Sequence, residues 1–178
     1  TFQNIRLFKA MTVLDNVKIA FTKDIHYNLA DSLLRTKKYW NTEQELTEKA
    51  MEYLRIVHLD DKAGQLASSL PYGQQRKLEI ARALATRPKL LLLDEPTKGM
   101  DAASKQELSG LLRSVAADGC AVLLVTHDTE LAADCADMCG MLFNGEILNE
   151  ASPEEMFREN YFYTTPMARL IRGISENK

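Results

Sequence analysis

Leu90-Leu91-Leu92-Leu93-Asp94-Glu95-Pro96 decides the fold of this chain. Four consecutive leucines, bounded by a loop on one side and a proline on the other, read as a strand buried on both faces, the kind used in parallel sheets. Pro96 cannot continue a ladder, and it biases Glu95 towards extended backbone. Ligands of open α/β sheets sit beyond the carboxyl ends of the strands, where Asp94 and Glu95 project. A hard cation such as Mg²⁺ needs oxygen ligands, and one or two carboxylates suffice when phosphates supply the rest. Asp94 suits that role, and Glu95 suits orienting or deprotonating an attacking water. Taken alone, the segment reads equally well as a buried strand whose acidic end meets solvent.

Composition narrows the classes. The chain has 178 residues, 46% of them apolar, enough for one domain with room for a sub-domain. A net charge of −3 and a pI near 5.7 give no overall basic field, so no nucleic acid partner is expected. The three cysteines, Cys120, Cys135 and Cys139, are too few and odd in number for a disulfide framework. Cys135 and Cys139 lack companion ligands at metal-binding spacing and read as small core hydrophobes. Neither a signal-peptide pattern nor an apolar run of membrane-spanning length occurs, which points to a cytoplasmic protein attached to a membrane only through a partner.

Along the chain, Thr12-Val13-Leu14-Asp15 has the form of a capping box ahead of an apolar run through Phe21. Thr42-Glu43-Gln44-Glu45 reads as a second box, after which Leu46, Ala50, Leu54 and Val57 share one helical face. Lys37, Lys38, Glu48 and Lys49 form a solvated face; Tyr39 and Trp40 fit either packing or docking, and His26 and His58 read as structural or surface residues. Leu70-Pro71-Tyr72-Gly73-Gln74-Gln75-Arg76 leads into a helix whose apolar face is Leu78, Ala81, Leu84 and Ala85, with Pro88 beyond its end. Gly73 stands where backbone can approach a phosphate at that helix's N-terminus.

After Pro96, Asp101 reads as the N-cap of a helix with the stripe Leu108, Leu111, Leu112, Val115 and Ala116, stopped by Gly119. A second apolar strand over residues 121–125 ends in Thr126-His127-Asp128, delivering His127 to the same sheet edge as Asp94 and Glu95. Asn144-Gly145 marks a tight hairpin turn, and Ser152-Pro153-Glu154-Glu155 begins another helix through a capping box.

The set resembles the ABC-type ATPases. In order and approximate spacing it offers a signature loop (residues 70–76), a Walker B strand ending in Asp94-Glu95, a D-loop with Asp101 and a switch histidine, His127. Gln3, in Thr1-Phe2-Gln3-Asn4, matches the Q-loop glutamine. The resemblance implies an α/β fold: a P-loop NTPase-type ABC ATPase domain with a helical sub-domain. It implies ATP and Mg²⁺ as ligands, with Asp94 and Gln3 for the metal, Glu95 for activating water and His127 for the γ-phosphate. Leu70, Tyr72, Gly73 and Gln74 would serve ATP held by an opposing subunit, and Asp101 the dimer interface. The implied partners are a second ATPase subunit, head to tail, and transmembrane permease subunits at the inner face of the cell membrane.

Three departures qualify the likeness. The Gly-x-x-x-x-Gly-Lys-Ser/Thr loop, the family's main phosphate cradle, occurs nowhere in the 178 residues. The expectation is an N-terminally truncated domain with little ATPase activity of its own. Its regions would be a helical sub-domain and signature helix over about residues 5–87, a catalytic core over 88–150 and C-terminal helices over 151–178. Pro71 and Tyr72 stand where the family usually has serine and glycine, a pairing familiar in branched-chain amino acid importer ATPases, which the first residues also resemble. The tail Asn160-Tyr161-Phe162-Tyr163-Thr164-Thr165-Pro166-Met167-Ala168-Arg169, with Lys98, is instead similar to energy-coupling-factor ATPases. An importer subunit for amino acids, vitamins or metals is the reading; a soluble non-transport ABC protein and an inert interaction module are the alternatives.

Overall fold

The computed structural model describes residues 7–25 and 27–158. The chain divides into two compact units, residues 2–91 and residues 92–178. Gln3, His26 and the tail from residue 159 onwards lie outside the described residues.

The first unit is helical. Helix α1 (Val13–Lys18) begins at Thr12, whose side chain accepts the Asp15 N–H at 3.0 Å, as the capping pattern requires. The chain tightens into a 3₁₀ segment, Ile19–Asp24, that buries Phe21. Helix α2 (Leu29–Leu34) has a complete capping box between Asn28 and Asp31. The long helix α3 spans Lys37–Ile56 and is capped by Thr36, so Thr42 is an interior, buried residue rather than a cap. The helix starts earlier than the pattern suggests because Thr36 accepts the Tyr39 N–H, and Glu45, the box partner, pairs forward with Lys49 at 2.7 Å instead of folding back. The neighbouring Glu43 takes Lys18 at 2.7 Å and the Tyr27 hydroxyl at 2.8 Å. Leu46, Ala50, Leu54 and Val57 are all buried on one α3 face, as their spacing demands. Helix α4 (Tyr72–Leu84) packs against α1 and α3 through Leu78, Ala81 and Leu84.

One polar residue holds this unit's entrance together. Asn16 is fully buried in α1; its amide accepts the Phe8 N–H at 2.9 Å and donates to the carbonyls of Phe8 at 3.1 Å and Thr12 at 2.9 Å. Phe8 in turn lies under the Arg82 guanidinium of α4, 5.6 Å from its ring centre.

Strand β1 (Leu90–Asp94) leads into the second unit. It is joined through α5 (Ala102–Ala117) to its neighbour β2 (Ala121–Val125). The four leucines are not all buried: Leu91 and Leu93 are, whereas Leu90 is mostly exposed. In a two-stranded sheet covered on one side, alternate side chains take opposite fates. Leu108, Leu111, Leu112 and Val115 bury one face of α5, but Ala116 falls outside it and is exposed. Gly119, at φ +90, turns the chain out of α5 in a conformation that side chains resist.

Helix α6 (Thr129–Cys135) packs on α5, and a separate antiparallel pair follows, β3 (Cys139–Phe143) with β4 (Glu146–Ala151). Their turn uses Asn144 and Gly145, both at positive φ, as a two-residue hairpin of right-handed twist needs. Ser152 and Glu155 then cap α7 (Pro153–Arg158) reciprocally. The three cysteines are half-buried free thiols rather than core residues. No helix among the described residues is long and apolar enough to cross a membrane.

Candidate active site

Beyond β1 the chain turns back sharply on itself. Glu95 has φ +45, the left-handed region, and not the extended backbone that Pro96 favours. Two contacts account for the reversal. The Glu95 N–H donates to the Val125 carbonyl at 2.8 Å, adding a rung to the β1–β2 pair. Its carboxylate then accepts the His127 N–H at 2.8 Å. A charge-assisted bond of that length is worth about 1.5–3 kcal/mol, enough to offset the ~1–2 kcal/mol of a left-handed L-residue. Strain at such a position is a mark of functional sites.

The geometry brings together Glu95 and His127, 32 residues apart in sequence, just beyond the ends of β1 and β2. His127 Nε2 stands 3.7 Å from Glu95 Oε1, and its ring is 99% exposed. An acceptor carboxylate and an imidazole thus face one patch of solvent, each able to take or hold a proton there. Asp94, the last residue of β1, is half-buried. A carboxylate at a strand's end is a hard oxygen donor, the ligand type Mg²⁺ takes. One carboxylate is not a closed cage, and among the described residues no cluster of three or more His, Cys, Asp or Glu side chains could hold a metal alone. Asp101 caps α5, accepting the Ser104 N–H at 3.2 Å.

Sequence reasoning gave Asp128 no role, yet it is the most connected side chain here. Its Oδ1 accepts the Leu131 N–H at 3.1 Å as the cap of α6. Its Oδ2 meets Lys105 Nζ of α5 at 2.7 Å. Its own N–H donates to Thr126 Oγ1 at 3.0 Å. Burial opposes its charge, but the adjacent Lys105 ammonium and the Leu131 N–H hold its carboxyl below the ordinary range. The available signal was local: an aspartate directly ahead of Thr129-Glu130-Leu131 is a cap by type.

The residues 70–74 belong to the other unit. Leu70 is buried, and its carbonyl accepts the Gln75 side-chain amide at 2.8 Å. Pro71 occupies the N-cap of α4 with no side-chain hydrogen bond, so no side chain caps the first-turn N–H groups. Tyr72 is exposed, Gly73 half-buried, and Gln74 Oε1 accepts Lys62 Nζ at 2.9 Å. Arg76 and Glu79 form an ion pair at 2.8 Å that is almost wholly buried.

Comparison with known proteins places this architecture. The family model described as ABC transporter matches residues 1–98. The high-affinity branched-chain amino acid transport ATP-binding protein BraF of Pseudomonas aeruginosa is 37% identical over 161 residues, covering 90% of this chain and 63% of the relative. The glutamine transport ATP-binding protein GlnQ of Geobacillus stearothermophilus is 38% identical over 156 residues, 88% of this chain and 59% of the relative. The chain therefore spans about three fifths of the length of these relatives. Among solved structures, a nucleotide-free ATP-binding cassette from an ABC transporter superposes with a TM-score of 0.69 at 30% identity, over 87% of this chain and 60% of that one. The dimeric bacterial ABC transporter cassette MJ0796 gives 0.68 at 28% identity, over 85% and 61%. The shared fold is that of the P-loop nucleotide-binding ATPases, and the chain belongs to the ABC transporter ATPase family.

Proposed function

We propose that this chain forms part of the ATP-binding and ATP-hydrolysing subunit of a membrane importer for amino acids. The observation that carries the reading is the left-handed turn at Glu95, which aims a carboxylate at the His127 loop across two strand ends. Glu95 holds or accepts the proton of an attacking water, and His127 steadies the terminal phosphate oxygens and that water. Asp94, with Gln3, holds Mg²⁺, which supplies charge stabilisation to the phosphates when bound. Positioning and electrostatics carry most of the catalysis in phosphoryl transfer, and these residues provide both. The amino acid class rests on the printed names of the relatives, BraF and GlnQ.

The uncapped start of α4 supports the rest of the reading. Its N–H groups and the helix dipole favour an anion, as expected if Leu70, Tyr72, Gly73 and Gln74 complete an ATP site on a second ATPase subunit. Asp101 then lies at the dimer interface, and permease subunits anchor the pair at the cytoplasmic face of the membrane. The test mixes the chain with a hydrolysis-deficient ATPase subunit that carries its own Gly-rich loop, and measures ATP-dependent association. Association should survive loss of the partner's signature loop and vanish with Gly73→Asp, which places bulk and charge against the phosphate. A folded chain that never associates, or one indifferent to Gly73→Asp, refutes the reading.

A further inference from the structure

The second unit contains a partly exposed ion pair that the reading of its catalytic residues leaves unused. Asp128 joins three pieces of structure: α5 through Lys105, the cap of α6 through the Leu131 N–H, and its own turn through Thr126. The Asp128 side chain is 13% exposed and the Lys105 side chain 37%, so their 2.7 Å pairing is partly shielded from solvent on the Asp128 side. His127 is the residue immediately before it, and the His127 N–H is the group that grips Glu95.

We propose that Lys105 and Asp128 are positioning residues: their ion pair clamps α5 onto the turn between β2 and α6, and so sets the pose of His127 and its grip on Glu95. The inference rests on the reading of Glu95 and His127 as the groups that act on water and phosphate. The lever arm is short. The Lys105 N–H donates to the Asp101 carbonyl at 3.0 Å in the first turn of α5, so displacement of that helix start is carried to Lys105 and on to Asp128. Because Asp101 belongs to the proposed dimer interface, closure of a partner on α5 would be felt at His127 through this pair.

The experiment needs no nucleotide, so it stands apart from the association test above. Backbone amide hydrogen exchange is measured in the whole 178-residue chain and in Lys105→Met, Lys105→Arg and Asp128→Asn. Asparagine keeps the cap of α6 while removing the charge, which separates clamping from capping. Exchange at the His127 amide should rise about tenfold or more in Lys105→Met and Asp128→Asn, and return to the parent rate in Lys105→Arg. Leu131 should stay protected in Asp128→Asn, and the α5 core amides at Leu111 and Leu112 should not move. If Asp128→Asn does not fold, Lys105→Met against Lys105→Arg decides. An unchanged His127 amide in Lys105→Met overturns the proposal, and so does a uniform rise across α5, which would mean general loosening.

Discussion

Asn16 offers a sharp quantitative test of how the helical unit is held. Replacing it with alanine removes three hydrogen bonds, from the Phe8 N–H and to the carbonyls of Phe8 and Thr12. The two carbonyls keep other partners, since Phe8 O accepts the Met11 N–H at 3.0 Å and Thr12 O the Asn16 N–H at 3.1 Å. Only the Phe8 N–H is left unmet. Three bonds at about 0.5–1 kcal/mol net each, with about 1 kcal/mol for the orphaned donor, give a loss of about 3 kcal/mol. Thr12→Ala, which removes only a helix cap, should cost about 1 kcal/mol. Asn16→Asp is the discriminating variant. It keeps an acceptor for the Phe8 N–H but turns a second oxygen towards two carbonyl oxygens. It should be at least as damaging as alanine at neutral pH and recover partly in acid, when the carboxyl gains a proton to donate. Trp40, the only tryptophan, sits in α3 of the same unit and reports its unfolding by fluorescence in a urea titration. A loss below about 1 kcal/mol for Asn16→Ala, or an Asn16→Asp indistinguishable from the parent, refutes the reasoning.

Further expectations follow from other sites. Joined to a segment bearing a Gly-rich phosphate loop, Glu95→Gln should retain ATP but lose about a hundredfold or more in single-turnover phosphate release; equal rates would remove Glu95 from the chemistry. Burial opposes the Glu43 charge, but Lys18 and Tyr27 outweigh it and lower its pKa from 4.5, so its stabilisation is complete above that value and is lost as pH falls through the lower folded one. Glu43→Gln should therefore flatten the acid limb of the Trp40 unfolding profile, and parallel acid limbs would argue against the triad. Tyr27 moves oppositely: its bond to Glu43 raises its pKa above 10.0, so that contribution is present below pH 10.0 and fades as pH rises through the higher folded value. Cys135, pushed up to about 11 by burial first, should react with iodoacetamide far more slowly at neutral pH than a free small-molecule thiol, as peptide mass spectrometry would show.

What was legible in the sequence was what repeats or what is local in cause. The stripes Leu46-Ala50-Leu54-Val57 and Leu78-Ala81-Leu84-Ala85 bury as read, because helical spacing is a property of the chain itself. So do the caps at Thr12, Asp101 and Ser152 and the Asn144-Gly145 turn, each decided within four residues. The Thr42 box failed because a competing cap, Thr36, starts the helix upstream and leaves Thr42 in its buried interior, with Glu45 paired to Lys49 one turn on. The extended Glu95 failed because a pre-proline preference of modest size lost to bonds with Val125 and His127.

The misses share a physical signature that bears on the function. Glu43, Glu95 and Asp128 are polar side chains with partners distant in sequence, and Asn16 reaches back eight residues; each ties one segment to another. Asn16 fastens the stretch that follows the Q-loop match onto α1, while Asp128 fastens α5 onto the turn that carries His127. Apolar packing alone would leave both attachments free to slide, because burial is indifferent to small shifts in register. Directional bonds to a half-buried group are not, since losing one strands a donor or a charge away from water.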